Sequence, residues 1–207
     1  MLVFLSSGIV CDADSDCFYV PARWQDSCHS QSLPALILLH CNGALPVDLD
    51  TCRFIADSLG WIMASCHASR NHRDVGLNTS DILKTVRKLL IRYPVDPARV
   101  FLFGFSGQGQ QALITMLMHP EVIRGTVSVC APGGALRLAS FEGMRQNCAY
   151  LVTRKSDWNL QDNLQMYRVF NLRGLPCQIR ITAGEHSPGP WQEILAGARW
   201  LDIQTRP

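Results

Sequence analysis

The chain has 207 residues, 47% of them hydrophobic and 17% charged, with a formal net charge of +2. That length suits one domain with a sizeable core, and a charge so near zero gives no electrostatic footprint for nucleic acid or an anionic membrane. No apolar run approaches the roughly 18 residues that cross a bilayer. The opening stretch MLVFLSSGIVCDADSD is apolar but lacks a basic lead and a small-x-small cleavage site, which argues against a secretory signal. The nine cysteines show no C-x-x-C pair, so the sequence assigns no metal ion. Cys41, Cys66, Cys130, Cys148 and Cys177 sit in apolar runs and read as buried free thiols. Cys11 and Cys17 would pair only in an oxidising compartment, and the expected location is a reducing cytoplasm.

In chain order, CFYVPA (Cys17–Ala22) reads as an early strand and PALILLHC (Pro34–Cys41) as a buried one. A helix is expected over Asp48–Gly60, ended by its glycine, and a strand over Trp61–Ala68. NTSDILKTVRKLLIRYP (Asn78–Pro94) predicts an amphipathic helix capped by Asn78, with Asp81 in its first turn. RVFLFGFS is a strand, followed at once by the helix GQGQQALITMLMHP. Strands at Arg124–Pro132, Asn147–Arg154 and Pro176–Gly184 follow, with helices over about Leu160–Leu172 and over Trp191–Ile203. This alternation predicts a doubly wound, mostly parallel sheet with helices on both faces. Residues 1–207 read as a single domain in which 1–33 form an N-terminal strand region and connection. Ligands in such sheets bind at the carboxyl ends of the strands.

One of those ends carries a serine. Gly104, Phe105, Ser106 and Gly107 match the strand-to-helix elbow G-x-S-x-G, with Gln108 in place of the last glycine and Gly109 one position late. A serine capping an ordinary helix is the competing reading. A nucleophile needs a base, an orienting acid and an oxyanion hole, and at such an elbow the acid and the histidine follow the serine in that order. Of the histidines after Ser106, His119 ends the helix that the serine begins and lies several turns away. His186, in ITAGEHSPGPW, is the base by elimination. Asp157, just past the preceding strand in YLVTRKSDWN, is the best-placed acid, with a helix cap as its alternative role. The Gly107 N–H would give one oxyanion donor, and the backbone of Cys41 or Asn42 in LLHCNGALP the other.

The segments LILLHCNG, YPVDPARVFLFGFSGQGQQAL, LVTRKSDWN and GEHSPGPW together resemble the small α/β-hydrolases of the phospholipase/carboxylesterase and polyhydroxybutyrate-depolymerase-like esterase groups. The resemblance runs from about Ala35 to Leu201. It implies the α/β-hydrolase fold, with Ser106 as nucleophile, Asp157 as acid and His186 as base. The altered elbow and the missing H-G pair in LHCNG are departures from the pattern.

The expected activity is therefore hydrolysis of a small-molecule carboxylic ester through an acyl-enzyme, without metal or organic cofactor. A thioesterase or peptidase would use the same triad, and a catalytically silent binding protein of the same fold is the rival from another class. The segment GGALRLASFEGMRQ is too short for a large lid domain, so the site should be open and favour small or accessible esters. Trp158 and Trp191 follow the acid and the base closely and are candidates for an apolar pocket, with core packing as the alternative. Arg70 and Arg73, in CHASRNHRD, could receive an anionic substrate group, although a solvated loop is the more common use of such residues. His40 reads as a structural hydrogen-bonding residue.

Overall fold

Buried apolar runs become the strands, and the amphipathic segments between them become helices. The computed structural model describes residues 3–4, 8–24, 32–138, 140–144 and 146–206. Part of the N-terminal region and connection expected over 1–33 lies outside the described residues. The chain divides into two compact units, Met1–Phe101 and Leu102–Pro207.

In the first unit, β1 (Val3–Phe4), β2 (Ile9–Cys11) and β3 (Cys17–Tyr19) form an antiparallel meander. β3 pairs antiparallel with β5 (Ile62–Cys66), which pairs parallel with β4 (Leu33–Leu39). With β6 (Val95–Phe105), which runs on into the second unit, the order is β1-β2-β3-β5-β4-β6. All seven residues of β4 and all five of β5 are buried, as a sheet covered on both faces requires. Cys11 faces Cys17 in the β2–β3 register, and the two are joined in a disulfide, the pairing that the sequence tied to an oxidising compartment.

Two expected helices differ from the sequence reading. The one expected over Asp48–Gly60 is two pieces, α1 (Pro46–Cys52) and α2 (Phe54–Leu59). Pro46 supplies a first helical residue whose missing N–H costs nothing there, and the Asp48 carboxylate accepts the Leu45 N–H at 2.8 Å. Gly60 ends α2 in the left-handed conformation, φ 74°. α3 spans Val75–Arg92 and is capped not by Asn78 but by Asp74, whose carboxylate accepts the Leu77 N–H at 2.9 Å. Asn78 lies inside that helix, buried, and its side chain ties down the backbone of Arg70 instead. Asp81 is accordingly beyond the first turn, where it pairs with Arg73 and Lys84.

The second unit follows the expected alternation. β6 leads into α4 (Gly107–Met118), and β7 (Gly125–Val129), β8 (Cys148–Arg154) and β9 (Cys177–Thr182) follow, with α5 (Leu160–Leu172) and α6 (Trp191–Thr205). The order is β6-β7-β8-β9, and the β7–β8 and β8–β9 pairs are parallel. α4 and α6 pack on β7, α6 also on β8, and α5 on β8 and β9. The core of this unit is Leu102, Val127, Val129, Leu151, Val152, Met166, Phe170 and Leu201. Between β7 and β8 the described residues hold only a short 3-10 turn, Gly133–Arg137, and no inserted lid domain. No described helix is long and apolar enough to cross a membrane.

Candidate active site

Ser106 sits between the last residue of β6 and the first of α4, with φ 54° and ψ −124°. This left-handed backbone turns the chain sharply and lifts the side chain out of the strand–helix junction. Its N–H donates to the Val129 carbonyl at 2.8 Å, and its carbonyl accepts the Gln110 N–H at 3.1 Å. The glycines around it explain the altered motif. A Cβ on Gly104 would collide with the Gln108 backbone, so the glycine before the serine permits the turn. The close approach of helix to strand falls at Gly109, where a Cβ would lie 3.0 Å from the Gly104 carbonyl and 3.2 Å from the Ala131 Cβ. The glycine that comes one position late therefore fills the packing need, and Gln108 is buried beside it.

The structure brings together the three residues singled out from chain order. His186 Nε2 lies 2.9 Å from Ser106 Oγ, and His186 Nδ1 lies 2.8 Å from Asp157 Oδ1. With Asp157 ionised, the proton belongs on Nδ1, which leaves Nε2 free to accept from the serine hydroxyl. The imidazole is also held by its faces. Trp158 stacks on it with ring centroids 3.8 Å apart and planes 21° apart, and Phe105 approaches at 4.8 Å.

Asp157 is a carboxylate with every side engaged. Asn159 N–H donates to Oδ1 at 3.0 Å and the Thr153 hydroxyl donates to Oδ2 at 2.9 Å, while the Cys130 thiol, which donates to the Ser187 carbonyl at 3.6 Å, lies within 4.8 Å of the same group. Burial pushes its pKa up, but the Cys130 thiol and the hydrogen bonds from Asn159, His186 and Thr153 outweigh it and hold the carboxyl below its usual value of 3.8. A group with a depressed folded-state pKa stabilises the fold above its unfolded value and loses that contribution as pH falls through the folded value. The gap in urea midpoint between wild type and Asp157→Asn should thus stay constant above about pH 5 and close below it. A gap that widens on acidification would contradict this.

Two neighbours of these residues carry no site role in the sequence: Cys130, which reads there only as a buried free thiol, and Arg154. Cys130 follows β7 with φ 51°, and burial foremost, with Asp157 beside it, pushes its thiol up to about 12. Its carbonyl accepts from Asn159 Nδ2 at 2.9 Å. Arg154, at the end of β8, is 2% exposed and reaches across the loop that carries His186. It donates to Thr182 Oγ1 at 2.8 Å and to the Pro188 carbonyl at 3.1 Å, and pairs with Glu193 at 2.8 Å. That last contact holds by charge, since Glu193 Oε2 has no well-aligned donor. The only sequence signal that would tie either residue to the site is its place at the carboxyl end of a strand.

The remaining candidates fall in different settings. Gly107 is the first residue of α4, where N–H groups have no partner within the helix. Trp158 is 75% exposed beside the histidine, whereas Trp191 begins α6 and packs edge-on against Phe103 at 5.7 Å. In the first unit, the Asn42 N–H donates to His40 Nδ1 at 3.3 Å, and the Cys41 carbonyl accepts the Asn71 N–H at 2.8 Å. The Arg73 guanidinium is committed to Asp81 at 2.6 Å, and Arg70 is exposed. A polar cavity of about 580 Å³ opens in the second unit, lined by Gln110, Gly133, Gly134, Arg137, Asp162 and Gln165 among others.

The arrangement of strands and helices is that of the α/β-hydrolase fold. Among solved structures, the chain is similar to the S-formylglutathione hydrolase FrmB from Staphylococcus aureus, with TM-score 0.71 and 15% identity over 97% of this chain and 96% of that one. A ferulic acid esterase aligns with TM-score 0.69 and 16% identity over 100% and 96% of the two chains. A hyperthermophilic esterase from the archaeon Pyrobaculum calidifontis aligns with TM-score 0.70 and 14% identity over 99% and 84%. Neither a protein-family profile nor a curated protein sequence matches this chain.

Proposed function

We propose that this chain is a serine hydrolase of the carboxylesterase type that cleaves a small or accessible ester through an acyl-enzyme on Ser106. The observation that carries this reading is the unbroken line of hydrogen bonds from Ser106 Oγ through both nitrogens of His186 to Asp157, at 2.9 and 2.8 Å. His186 takes the serine proton as Oγ attacks the acyl carbonyl, and Asp157 stabilises the imidazolium that forms. The Gly107 N–H, at the positive end of α4, stabilises the tetrahedral oxyanion. His186 then protonates the leaving alcohol, and a water activated by the same imidazole releases the acid. The esterase names of the structural neighbours agree with this reaction class. The absence of a lid domain among the described residues between β7 and β8 favours substrates that reach the site from solvent.

Intact-mass spectrometry after treatment with a fluorophosphonate tests the proposal. One adduct is expected on the wild type and none on Ser106→Ala. A folded wild type that takes no adduct would overturn the reading and leave a hydrolase-fold binding protein.

A further inference from the structure

We propose that Cys130, Asp157 and His186 form a site for a thiophilic divalent cation, zinc foremost, whose binding switches off the triad by taking its acid and base as ligands. Cation binding rests on the geometry alone, and the inhibitory consequence rests on the function proposed above. The Cys130 Sγ, an Asp157 carboxylate oxygen and a ring nitrogen of His186 all lie within 4.8 Å of one another. Zinc bonds sulfur, nitrogen and oxygen at about 2.0–2.3 Å, so a tetrahedral shell forms when the sulfur moves inward and the His186 Nδ1–Asp157 Oδ1 pair, now 2.8 Å apart, opens slightly. One thiolate, one imidazole and one carboxylate suit zinc, whereas magnesium and calcium require oxygen ligands.

The surroundings hold the donors in place. The Cys130 residue and the Asp157 side chain are fully buried, and the His186 side chain is 9% exposed. The Asn159 N–H and the Thr153 hydroxyl hold the two oxygens of the Asp157 carboxylate, and the Asn159 side chain also holds the Cys130 carbonyl. Such outer partners orient the ligands of metal sites. The ligands are far apart in sequence, each at the end of a different strand, so no spacing motif announces them.

The chemistry balances with one proton released. Hydrated Zn²⁺ takes lone pairs from the Cys130 sulfur, an Asp157 oxygen and His186 Nδ1, and keeps a water as fourth ligand. The thiol proton leaves to solvent, and the imidazole proton moves from Nδ1 to Nε2. The ring then donates toward Ser106 and can no longer accept the serine proton.

Cobalt(II), a spectroscopic substitute for zinc, reads the site without reference to activity. Titration of the disulfide-intact wild type should give a near-ultraviolet thiolate-to-cobalt charge-transfer band. The band should persist in Ser106→Ala and vanish in Cys130→Ala and in the near-isosteric Cys130→Ser. Zinc should also block ester hydrolysis by the wild type, reversibly with a chelator. Each enzyme is compared with its own zinc-free rate. Since losing even an outer-shell partner typically costs 10–100-fold in metal affinity, Cys130→Ser should need at least about ten-fold more zinc. No band from folded wild type, or an equal band from Cys130→Ser, would overturn the site. A wild-type band on a protein that fluorophosphonate does not label would uphold the cation site and sink only the catalytic reading.

Discussion

Replacing His186 with alanine is expected to lower kcat for ester hydrolysis by about a million-fold, with the fold intact. Among the described residues the serine hydroxyl has one base in hydrogen-bond contact, the His186 Nε2 at 2.9 Å, and a neutral hydroxyl is a poor nucleophile. The structural cost should be small. Asp157 would keep its bonds from Thr153 and Asn159, so its carboxylate would not be orphaned. The two lost hydrogen bonds typically cost about 1 kcal/mol each. The loss should also be non-additive: Ser106→Ala combined with His186→Ala should be no slower than either alone, because both remove the same reaction path. Single and double variants, compared by kcat and by urea midpoint, check both points. Additive losses would mean that the two residues do not act as a unit.

Arg154→Met should destabilise the protein by about 3–5 kcal/mol, the usual cost of leaving a buried charge without its partner. The orphan would be Glu193, whose side chain is 9% exposed and faces the guanidinium at 2.8 Å. The loop between β9 and α6 is wrapped around this cation so closely that a Cβ on Gly189 would collide with it. Because the same loop carries His186, kcat should fall along with stability. Arg154→Met combined with Glu193→Gln should recover most of the lost stability, since the second change removes the uncompensated charge. Denaturation curves of the three proteins decide the matter. If the double variant is no better than Arg154→Met alone, the cost lies in packing and not in the orphaned carboxylate.

Legibility in the sequence tracked locality. The long apolar runs of β4, β6 and β8 and the periodic helix Leu160–Leu172 are visible because their signal lies within a dozen neighbouring residues. Ser106, Asp157 and His186 could be singled out because chain order restricts the choice of partners. The start of α3 is ambiguous in the sequence because several residues of its polar approach can cap a helix, and only the folded chain selects Asp74. The short strands β1 and β2 carry too few residues for a period to show. Cys130 and Arg154 meet their partners only after neighbouring strands align their ends, and no local pattern encodes that adjacency.

The left-handed backbone at Ser106 sets two demands on one position against each other. At φ 54° a residue with a side chain is strained by about 1–3 kcal/mol, while glycine adopts that region freely. The fold alone would be better served by glycine at position 106, and the chemistry proposed here admits no substitute for the hydroxyl. Stability and activity therefore oppose each other at this residue, and a lineage released from catalysis would be free to relax the turn.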